Sequence, residues 1–143
     1  LPEAQLDRFL LRIGLGYPEE AEENEMVLRF ETANPLDDLE PVASIEQVVQ
    51  MQRETRRVHL DPSVRGYAVH LGASPRATLA LCRAAQARAL LKGRSFVIPD
   101  DVKALAQPVL AHRLILEPQA RLRGRKAASA IQEVLESVPV PVD

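Results

Sequence analysis

From Ser44 onward, apolar residues recur every three or four positions, the spacing of helices with one buried face. Ser44 and Gln47 stand at capping-box spacing, and Ile45, Val48, Val49 and Gln52 continue a helix face toward Val58. Asp61-Pro62 supplies a second N-cap with proline in the first turn, followed by Val64, Ala68 and Leu71 on one side. Ser74-Pro75 starts a third helix. Its interior, Ala77, Ala80, Leu81, Ala84, Ala87 and Leu91, keeps helical spacing until Gly93 ends it, and these small residues predict close helix packing. Pro99-Asp100-Asp101 opens a fourth helix, with Val102, Leu105, Ala106, Val109 and Leu110 buried and Pro108 bending or splitting it. A basic, loop-like stretch from Arg121 to Lys126 then leads to a last amphipathic helix carrying Ala128, Ile131, Val134 and Leu135.

Before residue 44 the pattern changes. Leu10 to Gly16 (LLRIGLG) alternates briefly and meets Tyr17-Pro18, which predicts a strand followed by a breaker. Leu114 to Leu116 predicts a second short strand. Pro18 can start a helix whose acidic run, Glu19, Glu20, Glu22, Glu23 and Glu25, sits at the positive end of the helix dipole, with Met26, Leu28 and Phe30 further along. Residues 32–43 (TANPLDDLEPVA) hold two prolines and several turn formers and read as a linker.

The 143 residues suffice for one domain with an appended subdomain, and the lack of an initiating Met suggests a piece of something longer. No apolar run is long enough to cross a bilayer. One cysteine excludes a disulfide framework and a cysteine-ligated zinc site within the chain, which fits a reducing, cytoplasmic setting. The net charge of −2 hides polarity: residues 1–61 carry fourteen acids and six bases, and residues 62–143 six acids and twelve bases, a division that suits head-to-tail packing of copies. The basic half, including Arg121, Arg123, Arg125 and Lys126, is a candidate nucleic-acid surface, which the acidic first half and the 3% aromatic content disfavour.

The sequence contains no G-x-x-x-x-G-K-[ST] phosphate loop, no G-x-G-x-x-G turn and no H-E-x-x-H. His59, His70 and His112 lie at spacings unlike a metal site, and Cys82 reads as a small buried thiol. Two arginines stand out. Arg76 follows Ser74 as N-cap and Pro75 as first helical residue, so its guanidinium lies in a first turn whose dipole opposes a cation by roughly 0.3–1 kcal/mol. A phosphate held by first-turn N–H groups and the Arg76 fork, with Gly72 and Ala73 allowing close approach, would relieve that conflict. A neighbouring carboxylate would do the same. Arg8, in L-D-R-F, could project across an interface toward developing phosphate charge, or pair with Asp7 or Glu3.

LPEAQLDRFLLRIGLGYP (1–18), GASPRA (72–77), VIPDDVKALAQPVLAHRL (97–114) and VPVP (138–141) together resemble the C-terminal portion of MoxR-family AAA+ ATPases. The resemblance runs through nearly the whole chain. It implies a mainly α fold: the end of the nucleotide-binding core over 1–33, with a strand–helix remnant of its α/β architecture, a linker over 34–43 and a helical lid over 44–143. It also implies that Arg8 is the arginine finger acting on ATP of a neighbouring subunit, and that Arg76 is the sensor 2 arginine, with Gly72, Ala73, Ser74 and Pro75 beside it at the nucleotide. ATP and Mg2+ would serve the full-length protein, in a ring such as a hexamer, for chaperone-like remodelling, and proteins with von Willebrand factor A domains are the implied partners. The piece alone should be inactive and hold no nucleotide tightly.

Three departures bear on this. The phosphate loop, the Mg-binding acidic motif and sensor 1 are missing. Only Val69, His70 and Leu71, the end of the second helix (61–71), precede Gly72, where the family has a longer helix and a further loop. Ile98 occupies the place of a Thr or Ser N-cap, at a cost of about 1 kcal/mol. The alternative from another class is a helical adaptor that binds protein partners without nucleotide.

Overall fold

The computed structural model describes residues 3–141, without the side chains of Glu3, Ala4, Thr32 and Arg121; Leu1, Pro2, Val142 and Asp143 lie outside the described residues. The chain is mainly α-helical, with helices α1 (Glu3–Leu6), α2 (Glu20–Thr32), α3 (Ile45–Arg57), α4 (Pro62–Leu71), α5 (Pro75–Leu91), α6 (Pro99–Leu110), α7 (Pro118–Leu122) and α8 (Ala127–Ser137). It divides into two compact units. Gly14–Met51 forms one, and the segment up to Ile13 joins the chain from Gln52 onward in the other.

In the Gly14–Met51 unit, α2 begins at Glu20, two residues later than a helix started by Pro18. Glu19 N–H donates to Glu22 Oε2 at 3.1 Å, and Glu20, Glu22 and Glu23 occupy the first turn, where the dipole favours acids. Turns fill the expected linker: Asn34 Oδ1 accepts from Leu36 N–H at 3.2 Å, and its carbonyl from Asp37 N–H at 3.0 Å. The capping box that opens α3 is complete, with Gln47 N–H donating to Ser44 Oγ at 3.2 Å and Ser44 N–H to Gln47 Oε1 at 2.7 Å.

The larger unit holds the core. Val64, Tyr67, Ala68 and Leu71 of α4, Ala77, Ala80, Leu81, Ala84, Ala85 and Ala89 of α5, and Val102, Ala106, Val109 and Leu110 of α6 are buried together, with Ile131 of α8 against them. Alanines along α5 let neighbouring backbones approach closely. The apolar stripe turns further around α5 than the sequence reading has it: Ala85 and Ala89 are buried, while Leu91 is 87% exposed. At Gly93 (φ +71°) the helix closes in a Schellman motif, Gly93 N–H donating to the Leu90 carbonyl and Arg94 N–H to that of Ala89. α6 passes through Pro108 unsplit, because the proline lies in the last turn and forgoes a single bond. Arg121 and Leu122 belong to α7, which ends at Gly124 (φ +76°), so the basic loop is shorter than expected.

Neither expected strand forms. Residues 11–19 and 114–117 are irregular, because a strand needs a neighbour to pair with and no sheet exists among the described residues. An isolated parallel bridge joins His59 to Phe96, with His59 N–H on the Ser95 carbonyl at 2.8 Å and Val97 N–H on the His59 carbonyl at 3.0 Å.

Asp101 is the buried carboxylate of this core. Arg94, just beyond the Schellman turn, grips it with both terminal nitrogens at 2.8 and 2.7 Å, Ile98 N–H donates at 3.1 Å, and Arg88 Nε lies 3.4 Å away. The Ile98 N–H bond is the surviving half of a capping box whose other half an isoleucine cannot make. Burial pushes the Asp101 carboxyl up, but the Arg94 and Ile98 hydrogen bonds and the charges of Arg94 and Arg88 outweigh it and hold it below the ordinary value. A depressed native value means that this stabilisation is complete above the unfolded carboxyl range, about pH 4, and is lost as pH falls through the native value. Asp101→Ala leaves Arg94 without its counter-ion and should cost about 3 kcal/mol in urea unfolding, and Asp101→Asn should flatten the decline in stability below about pH 4.

Candidate functional site

The candidate residues Gly72, Ala73, Ser74, Pro75 and Arg76 form the junction between α4 and α5. Gly72 N–H donates to the Ala68 and Val69 carbonyls and ends α4. Ser74, extended at φ −160°, caps α5 by accepting from Ala77 N–H at 3.2 Å, and its carbonyl accepts from Thr78 N–H at 2.9 Å. Pro75 has no N–H, so the backbone donor left in this turn is that of Arg76, which has no partner among the described residues. The space beside Gly72 is taken by protein: a Cβ there would meet Thr78 Oγ1 at 1.9 Å, and that hydroxyl donates to the Ser74 carbonyl at 3.2 Å. A largely aliphatic groove of about 330 Å³ opens beside Gly72 and Ala73, walled by Leu110, Leu114 and Ile131, with His70 at its lining.

The Arg76 side chain is 63% exposed, and its Nη1 donates to Asp7 Oδ2 at 3.0 Å. The carboxylate that relieves the dipole conflict thus comes from the segment before Arg8. Asp7 pairs with Arg76 and Arg113 and not with Arg8, whose exposed side chain makes no ion pair among the described residues.

Arg113 escaped the sequence reading. Its side chain is 3% exposed, and its five N–H donors are all engaged: Nε with Asp7 Oδ1 at 3.1 Å, Nη1 with the Leu10 carbonyl at 3.2 Å and the Val109 carbonyl, and Nη2 with the Asp7 carbonyl at 3.3 Å and the Phe9 carbonyl. Residues 7–10 are thereby fastened through their backbone to the end of α6. His112 Nε2 donates to the Phe9 carbonyl at 3.1 Å, and Arg12 N–H donates to the Pro108 carbonyl at 2.9 Å. The carbonyls of the last α6 turn and its negative dipole end are satisfied by this same cation and segment. The signal in the sequence is an arginine three residues past a buried helix terminus. The hydrogen bond from Arg76, against the effect of burial and with Arg113 adding a second bond and charge, holds the Asp7 carboxyl below the ordinary range.

The arrangement offers an exposed guanidinium and one N–H at the start of α5, which fit an anion with several oxygens. Among the described residues no group of three or more His, Cys, Asp or Glu side chains could hold a metal ion. No helix among them is long and apolar enough to cross a membrane.

Residues 65–134 match the AAA lid domain family. Over 99% of its length the chain is 42% identical to the uncharacterized protein YeaC of Bacillus subtilis, of which it covers 48%, and 35% identical to chaperone MoxR1 of Mycobacterium tuberculosis, of which it covers 42%. The crystal structure of a presumed ATPase from Cytophaga hutchinsonii superposes with a TM-score of 0.89 at 29% identity, over 99% of this chain and 49% of that one. The chain therefore spans about half the length of the relatives it matches. The matched stretches of 154 and 162 residues exceed the 143 present, so these relatives carry residues within them that this chain lacks.

Arg113→Ala should lower unfolding stability by about 3 kcal/mol and speed amide exchange at Arg12, whose N–H bond to α6 depends on the same seating. Gly72→Ala should destabilise by about 1–2 kcal/mol through the clash with Thr78, and Thr78→Ala in the same chain should recover most of that loss in thermal unfolding.

Proposed function

Because the chain belongs to the MoxR-type AAA+ ATPases and contains their lid domain, we propose that it forms the lid side of an ATP site in which Arg76 reads the terminal phosphate. The observation that supports this is the exposed Arg76 guanidinium in the first turn of α5, beside its own N–H, which has no partner among the described residues. Both donors suit phosphate oxygens. Ser74 and Pro75 set the turn that presents them, and Gly72 and Ala73 lead into that turn from the end of α4. ATP, carrying Mg2+, supplies the phosphoryl group whose transfer to water releases energy. The core of the full-length protein would hold the phosphates and metal, since this sequence has no phosphate loop.

Within this reading, Arg8 reaches the nucleotide of a neighbouring subunit in a ring. Its exposed side chain follows a backbone fixed by Arg113, which suits a group that must extend across a boundary. Residues 1–33 complete the core, 34–43 link it to the lid, and the ring, a hexamer in this proposal, works in the cytoplasm. Lid movement on hydrolysis would be transmitted to a client protein in chaperone-like remodelling, with von Willebrand factor A domain proteins as companions.

Arg76→Ala, in the protein that joins this chain to its nucleotide-binding core, should lower ATP turnover by about 10²-fold with folding intact. Arg8→Ala should lower it by about 10³-fold, and Arg8→Ala subunits mixed with intact ones should reduce turnover in the intact subunits as well. Parental turnover in Arg76→Ala would leave the nucleotide-independent adaptor as the better reading.

A further inference from the structure

Asp7 divides its carboxylate between two arginines of different character. Oδ1 accepts from Arg113 Nε at 3.1 Å, and Oδ2 accepts from Arg76 Nη1 at 3.0 Å. Arg113 is buried and has every donor committed, whereas Arg76 is exposed and gives this carboxylate a single bond. The Arg113 bond is therefore the anchor, and the Arg76 bond is the exchangeable one. Asp7 is itself one-third exposed, so an incoming anion can compete for the guanidinium without unpacking the core.

We propose that Asp7 is a positioning residue: it holds Arg76 as an internal counter-ion until the terminal phosphate of a nucleoside triphosphate displaces it. This rests on the reading of Arg76 given above. A carboxylate and a phosphate seek the same guanidinium fork, and the phosphate brings more charge and more acceptor oxygens. Until it arrives, Asp7 offsets the unfavourable placement of a cation at the start of α5. A diphosphate lacks the displacing group, so the exchange discriminates between the two nucleotides.

The test uses the protein that joins this chain to its nucleotide-binding core, with ATP and ADP affinities measured for the parent, Asp7→Asn, Arg76→Ala and the double variant. Asp7→Asn keeps an amide oxygen for Arg113 and removes the competing charge. It should bind ATP about two- to fivefold more tightly, the range expected when an exposed ion pair is relieved, with ADP affinity unchanged. In the Arg76→Ala background the gain should vanish. Asp7→Glu keeps the charge and should retain the parental ratio of ATP to ADP affinity, which provides a readout if the amide variant does not fold. Unchanged ATP affinity in Asp7→Asn where Arg76→Ala weakens it, or equal shifts for ATP and ADP in both backgrounds, or a raised ratio in Asp7→Glu, overturns the inference. Parental ATP affinity and turnover in Arg76→Ala would instead remove the reading of Arg76, and the inference with it.

Discussion

The buried carboxylate of Asp101 fixes how α5 gives way to α6, and the rest of the larger unit is arranged around that junction. Its two oxygens meet both terminal nitrogens of Arg94 and the Ile98 N–H, so the Schellman turn after α5 and the first turn of α6 share one acid. A charge at this depth is tolerated only with such partners. The junction also carries the His59–Phe96 bridge, while Gln86 Nε2 donates to the Val58 carbonyl at 2.8 Å and ties α5 to the approach of α4. Once α4, α5 and α6 are set in this way, the turn bearing Arg76 and the α6 terminus bearing Arg113 have fixed places.

Local chemistry made much of this legible. Ser44, Asp61 and Ser74 cap helices because a short side-chain oxygen reaches an N–H two or three residues on, and Gly93 ends α5 because it accepts a positive φ. Such signals need no knowledge of the remainder of the chain. LLRIGLG shows the limit: its alternation is suited to a strand, yet strand structure belongs to a pair, and here Arg12 N–H bonds instead to the end of α6. Leu91 shows another, since the periodic pattern drifts around a long helix and only packing decides that Ala89 lies inside.

The candidate site was legible in its types and illegible in its pairings. Ser74, Pro75 and Arg76 sit where the spacing put them, and the family resemblance is matched by the lid domain and by relatives across the chain. Their partner Asp7 lies 69 residues from Arg76, and Arg113 lies 106 residues from Asp7, distances at which no spacing rule applies. The alternative pairing of Arg8 with Asp7 is not made, because the two oxygens of that carboxylate are taken by Arg113 and Arg76.

Arg113 grips residues 7–10 mainly through main-chain oxygens, which every amino acid supplies alike. The side chains of Phe9 and Leu10, each about half exposed, take no part in that grip. Mutational drift at those two positions should thus leave the backbone mount of Arg8 unaltered, and both can be re-coded while the trace of the segment is preserved. Evolution could in this way retune what the tip touches without rebuilding the base.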